Sequence, residues 1–436
     1  MQRKTLALAV TMALAATSFQ ASAQDARDQE LAALKQQLAE LAAKVQELEE
    51  RSDAQSDVNV DTATQLDNLN NNTTKVETKG GIKVTSADKN FEASVGGRIH
   101  FDAYSFDKDI APTTDTTEFR RARLTLSGKA WGWEYKMEND FAAGTNLDGF
   151  RDLYIARNML GGKVTIGHFK PYRSMEELTS SNEILMMERP STSATGIYAG
   201  RQFQQGVGYL KAGDNYTIGG SAFNLRSAPT ARTEGVGFAG RATWAPINDG
   251  TTTLHLGASY SFENLNKGTP AVVAASQYAG RRGPVQVIAT TTNATGTNDS
   301  QVDFYGLEAA FASGAFFVQS EFASGNFGQP NGSSQDVQAF YVQGSWMLNG
   351  GMKVYKPGTG VFGSPKVADK GLWELTARWD TIENKDLLDT RTTSTTLGVN
   401  YYINPSMRFM LNWTQGQNDK TGDEPSQIAL RTQFAF

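Results

Sequence analysis

The chain has 436 residues, of which 39% are hydrophobic and 10% aromatic, and its 42 glycines far outnumber its 12 prolines. A formal charge of −5 gives no whole-chain electrostatic case for nucleic acid, and the absence of cysteine excludes a disulfide framework and any thiolate metal site. Glycine and aromatics in a polar average suit a wall of strands in which one residue in two faces lipid.

Arg3 and Lys4 precede an apolar run from Leu6 to Ala16, and Ala21-Ser22-Ala23 has the small-x-small form of a cleavage site. This predicts a secretory signal peptide over 1–23, with Gln24 as the first mature residue. The apolar run is too short for a membrane anchor, and no later stretch approaches the roughly 20 apolar residues of a membrane helix.

Leu31, Leu34, Leu38, Leu41, Val45 and Leu48 recur in steps of three and four among Glu, Gln, Lys and Ala. The spacing predicts a short coiled coil within 24–51, too short to hold alone and so supported by association elsewhere. A solvated amphipathic helix lying on the rest of the protein is the competing reading. Residues 52–78 are rich in Asp, Asn, Thr and Gln, which predicts a partly disordered tether within a polar linker spanning 52–90.

From about Phe91 to Phe436 apolar and polar residues alternate. In the last segment Ile428, Leu430, Thr432, Phe434 and Phe436 share one parity and Gln427, Ala429, Arg431, Gln433 and Ala435 the other. Trp373, Leu375, Ala377 and Trp379 likewise oppose Glu374, Thr376, Arg378 and Asp380. Period two with one apolar face is a half-buried strand. Segments of about ten residues are the length of tilted membrane strands, and short turns alternating with long polar loops are the topology of a membrane barrel.

The predicted fold is therefore all-β, a transmembrane antiparallel β-barrel of about 16 strands over 91–436. The segments lie near 91–106, 118–130, 133–142, 149–159, 162–169, 202–212, 216–226, 234–246, 252–264, 303–314, 315–326, 337–349, 371–383, 393–403, 407–418 and 426–436. The terminal Phe436 after an alternating strand fits an outer-membrane protein.

Three stretches resemble the phosphate-selective porin family (porin O and P). They are Lys79-Gly-Gly-Ile-Lys-Val with Val95-Gly-Gly-Arg-Ile; Glu118-Phe-Arg-Arg-Ala-Arg-Leu; and Gly167-His-Phe-Lys-Pro-Tyr with Glu176-Glu-Leu-Thr-Ser-Ser and Met187-Glu-Arg. The resemblance implies a homotrimer of sixteen-stranded barrels in the bacterial outer membrane, each narrowed by an inward-folded third loop over 170–200. It implies a diffusion path for small anions, phosphate and polyphosphate among them, with constriction arginines at Arg98, Arg120 and Arg121 and a constriction aspartate at Asp152. Arg123, Lys136, Lys170 and Arg173 join the expected path, and Arg281 and Arg282 stand for a thinned extracellular arginine ladder. Glu177 and Asn182 replace loop lysines of the phosphate-specific members, which leaves a general or organic-solute pore as the alternative.

Parity places Arg98, Arg121 and Arg123 on the lumen face, since a lipid-facing arginine at mid-bilayer costs roughly 2–4 kcal/mol. Arg120 falls on the lipid parity, and a bulge or an interfacial position is needed to redirect it. Guanidiniums stay charged and offer forked donors to oxyanions; the competing reading makes them structural partners of lumen carboxylates such as Asp102, Glu134, Glu138 and Asp140.

An outer-membrane hydrolase is the rival from another class. His100, His168 and His255 are scattered, give no metal spacing and read as lumen filler. No cofactor, metal or catalytic residue is expected. The remaining expected partners are outer-membrane lipid and, through a periplasmic coiled coil, sister protomers or the cell wall.

Overall fold

The computed structural model describes residues 2–78, 80–143, 149–225, 235–265, 272–291, 300–329, 332–367, 371–387 and 390–436. The chain forms two compact units, 1–73 and 74–436. The first is one helix, α1 (Gln2–Asn72). Its leucine seam, including Leu38 and Leu41, is exposed in the single chain. The helix continues through 52–72, where composition had suggested a tether. Side-chain bonds Gln55→Asn59 and Gln65→Asp61 stabilise it locally there.

The second unit is a closed barrel. Its sixteen wall strands are β1 (Phe91–Asp107), β2 (Thr116–Ala130), β3 (Trp133–Asp140), β4 (Phe150–Met159), β5 (Gly162–Phe169), β6 (Gln204–Ala212), β7 (Tyr216–Asn224) and β8 (Val236–Asn248). They continue as β9 (Thr252–Leu265), β10 (Ser300–Ser313), β11 (Phe316–Gly328), β12 (Ser334–Met347), β13 (Leu372–Asn384), β14 (Arg391–Asn404), β15 (Met407–Asn418) and β16 (Ser426–Ala435). Each pairs antiparallel with its neighbour in sequence, and β16 returns to β1 with Leu430 opposite Ala103, which closes the ring. Every one of the sixteen expected segments is a wall strand.

Part of the expected linker also joins the sheet. The short strand Ile82–Thr85 pairs with Glu92–Val95 of β1, and Lys75–Glu77 pairs with it in turn.

Ile428, Leu430 and Phe434 point outward while Arg431 and Gln433 are buried inside, the two parities of one strand. Trp131-Gly132 and Leu160-Gly161 close two-residue turns with φ of 47°, 81°, 57° and 74°. Both central residues are left-handed, the turn geometry whose twist matches paired strands, and glycine meets the second at no steric cost.

Among the described residues, three connections enter the lumen. Residues 170–203, between β5 and β6, carry α2 (Met175–Leu178) and run along the inner wall. The connection from β9 to β10 carries a hairpin (Val273–Gln277 with Val285–Thr290). Ala274 and Ile288 of that hairpin pack against Phe304, Val337 and Ile382 of the wall. Like the second, the third was not legible as an inward element. It joins β12 to β13 on the tight-turn side and holds the hairpin Val354–Lys356 with Val361–Gly363. Arg241 of β8 bonds the Thr359 and Gly360 carbonyls at 2.8 and 2.6 Å, and Phe362 packs on Phe317 with ring centroids 5.0 Å apart.

Candidate permeation pathway

The inward loop is pinned because wall side chains on lumen parity satisfy its backbone. Asp380 accepts from the Ser191 amide at 3.0 Å, and Asn412 from the Met187 amide at 2.9 Å. Glu321 accepts from the amides of Met175 and Glu176 at 3.1 and 2.7 Å, the first turn of α2. Buried backbone groups left unpaired would be costly, so these contacts define where the loop rests.

Arg120 reaches the lumen through a bulge. Opposite it the register slips between His100 and Phe101, so that Arg121 faces His100, Phe119 faces Phe101, and Arg120 has no partner on β1. An extra residue of this kind turns its side chain off the strand's alternation. Arg120 donates from Nε and Nη2 to the Glu188 carboxylate of the loop, at 2.7 and 2.9 Å.

Most of the expected cations carry a carboxylate. Arg98 binds Glu138 at 2.9 Å and reaches Ser181 Oγ at 2.9 Å. Arg123 bridges Asp140 and Glu138, both at 2.8 Å. Lys136 pairs with Asp152 at 2.5 Å. Arg281 and Arg282, at the tip of the first inward hairpin, share Glu118. Arg173 lines neither of the spaces beside the loop. It is fully buried between Glu263 at 2.9 Å and the Tyr198 ring, 3.8 Å from the guanidinium carbon, because the start of the loop packs flat on the wall there.

Arg121 is different. It is buried, and its Nη1 lies 3.3 Å from His100 Nδ1, while His100 Nε2 lies 3.0 Å from Asn182 Oδ1. The guanidinium of Arg121 can only donate, so Nδ1 is the acceptor of that contact and Nε2 faces the amide oxygen. His255 is also a wall-to-turn link, with Glu308 at 2.9 Å and Tyr355 Oη at 3.0 Å. His168 Nδ1 meets the Arg151 carbonyl at 2.6 Å.

Sequence reasoning did not single out Arg189 and Arg378, which line the spaces beside the loop. Arg189 donates to the carbonyls of Glu176 and Thr179 at 3.0 and 2.6 Å, and Arg378 to that of Glu188 at 2.7 Å. Lys170 is held in the same way by the carbonyls of Glu177 and Thr179, at 2.6 and 3.2 Å. Among the described residues these three cations make no side-chain ion pair. Lumen parity marks Arg378 in the sequence; the lack of a counter-charge is a property of the packed loop.

The loop divides the lumen. On the tight-turn side, beside Gly161 and Gly162, lies a cavity of about 890 Å³. Its charged lining is six cations (Arg98, Arg123, Lys136, Lys163, Lys170, Arg189) against two carboxylates (Glu138, Asp152). Just behind it Asp140 pairs with Arg123 at 2.8 Å and Glu134 with Lys163 at 2.7 Å, which leaves a local excess of two positive charges, Lys170 and Arg189. On the other side a cleft of about 40 Å³ lies between the loop and β13–β16, lined by Arg281, Arg378, Glu188 and Asp380. Arg189 lines both. The side chains of Glu177 and Asn182 lie against the loop and wall, Glu177 accepting from the Ala194 amide at 2.8 Å and Asn182 meeting His100.

Comparison with known proteins gives a consistent picture. The family described as phosphate-selective porin O and P matches residues 94–436. Porin O of Pseudomonas aeruginosa is 26% identical over 413 residues, 83% of this chain and 92% of that protein. Among solved structures, the anion-selective porin from Comamonas acidovorans superposes with a TM-score of 0.53 at 13% identity, over 79% of this chain and all of that one. OmpT of Vibrio cholerae, in a trimer form, gives 0.52 at 12% identity, over 79% and 99%. These structural likenesses concern the barrel fold.

Proposed function

The chain belongs to the phosphate-selective porin O and P family, an outer-membrane channel rather than an enzyme, and from that premise we propose that it passes small anions by diffusion along Arg378, Arg189 and Lys170. The observation carrying this reading is the excess of positive charge in the larger cavity, where Lys170 and Arg189 have no carboxylate partner among the described residues. In a space walled by low-dielectric protein, such an excess concentrates anions and repels cations.

The ion pairs then set how tightly an anion is held. Two unopposed charges at 4 Å attract by about 4 kcal/mol at an effective dielectric near 20. With Arg98, Arg120 and Arg123 already on Glu138, Glu188 and Asp140, the residual charge is spread over successive weak stations, which permits release as well as entry. That distribution favours phosphate and other small anions as a class over tight phosphate capture. Replacing Lys170 and Arg189 together by glutamine tests the assignment. The anion-to-cation permeability ratio from reversal potentials should fall markedly, and an unchanged ratio would overturn it.

Short turns of outer-membrane barrels face the periplasm, so the larger cavity is the periplasmic mouth in this reading. The protomer is one of three, and the leucine seam of 24–51 joins the helices of sister chains. Removing 25–51 and finding an equally heat-resistant trimer on unboiled gels would remove that role.

A further inference from the structure

The larger cavity has a second wall that a pore for bare inorganic ions does not need. Lumen-facing positions of membrane barrels are ordinarily polar. Here β6 and β7 present Gly208, Leu210 and Gly219 to the lumen, Phe169 at the end of β5 and Tyr172 of the inward loop lie against them, and Leu178 of α2 lines the same space. A Cβ at Gly208 would meet Phe169 Cε2 at 2.9 Å and Tyr172 Cε2 at 3.0 Å; one at Gly219 would meet Tyr172 Cγ and Leu210 Cδ1, both at 3.0 Å. Neither glycine has the left-handed backbone that would require it. Their value is the room they leave, which lets the rings and Leu210 lie flat as one apolar face.

Tyr172, Leu178 and Leu210 are only half-buried, so this face borders open space. They also line an annex of about 80 Å³ running from the cavity toward Thr217 and Thr359. The same cavity carries Lys170, Arg189, Arg98 and Arg123. One chamber thus offers cations and an apolar surface, the two features of an amphipathic anion.

We propose that this chamber is a binding station for small organic anions bearing an aryl or alkyl group, the charged head on Lys170 and Arg189 and the apolar group on Tyr172, Leu178 and Leu210. The proposal rests on the anion-pore reading and names the solute class within it. The volume is ample, since pockets of about 300–1,000 Å³ hold drug-sized ligands.

The test uses the full-length protein in planar bilayers carrying a chloride current. Two pairs of blockers are compared at alkaline pH, where head charges match: phenyl phosphate against inorganic phosphate, and benzoate against acetate. The ring should lower the half-blocking concentration about tenfold, as expected for roughly 60 Å² of apolar surface leaving water at 25 cal/mol per Å². In Leu178→Asn/Leu210→Asn the advantage should vanish while the bare anions block as before. An advantage in the phosphate pair alone, or in the carboxylate pair alone, would assign the head group.

Equal block by ring-bearing and bare anions in the wild type would overturn the proposal, as would a ring advantage that survives in a variant whose chloride conductance is normal. If the double-asparagine variant fails to assemble, the wild-type comparison still decides. A channel that does not carry chloride at all would instead sink the anion-pore reading.

Discussion

Arg120 and Glu188 form a two-point ion pair across the lumen, from a strand bulge to the inward loop, at 2.7 and 2.9 Å. Glu188 also receives Arg431 Nη2 at 3.1 Å. On the proposed anion route, a carboxylate held by two guanidiniums takes the place of a permeating oxyanion and competes with it.

Glu188→Gln should therefore strengthen anion binding. Removing one charge at about 7 Å changes the attraction by about 0.6–2.4 kcal/mol for dielectrics between 80 and 20, a factor of about three to fifty in half-blocking phosphate concentration. Titrating phosphate against chloride current measures it. Loss of a merely structural staple would instead raise conductance for both ion signs without changing block.

Arg173 gives the opposite expectation. Arg173→Met leaves Glu263 with Arg201, at 3.0 Å, as its remaining ion-pair partner. Breaking a buried pair costs about 3–5 kcal/mol, so thermal unfolding in detergent should move to lower temperature while the reversal potential stays at the wild-type value. A changed selectivity would put Arg173 on the path after all.

The hairpin Val354–Lys356 with Val361–Gly363 narrows the lumen from the tight-turn side. It is bound through Lys356 to Glu183 at 2.5 Å and through Tyr355 to His255. Replacing 354–363 by a short glycine linker should raise single-channel conductance while leaving assembly intact. Unchanged conductance would show that the current passes elsewhere.

At the loop end Tyr278 donates to Asp423 at 2.5 Å, and the Ile110 and Ala111 amides donate to the same carboxylate at 2.8 and 3.0 Å. Burial alone would raise the Asp423 pKa, but these donors outweigh it and hold the group below the ordinary carboxylate range. Burial, with Asp423 beside it, pushes the Tyr278 hydroxyl up to about 12. A depressed carboxylate contributes stability that is complete above its unfolded value near 3.9 and lost as pH falls through the folded one. A raised phenol contributes below about 10, and its share is lost as pH climbs through the folded value. The latch should thus be constant between about pH 4 and 10. Limited proteolysis of 278–284 should accelerate below that window, and at neutral pH in Asp423→Ala.

The wall was legible in the sequence because membrane strands must alternate, and length separates them from soluble ones. What lies inside the wall was not. Arg120 sits on the lipid parity and is turned inward by a bulge that one-residue alternation cannot register. Nothing in the sequence marks 354–363 as an inward hairpin, because its burial depends on Arg241 and Phe317, far away in sequence. Lys170 was placed on the path by its motif and Arg173 beside it. Only packing separates them, one held by carbonyls at a cavity wall and the other sealed onto Glu263. The polarity of 52–72 suggested a tether, whereas short side-chain bonds keep that stretch helical.

The most direct measurement is the reversal potential of the reconstituted wild-type protein in a potassium chloride gradient. Lys170 and Arg189, lining the larger cavity without an ion pair, predict a sign set by chloride. A potential set by potassium would contradict the account.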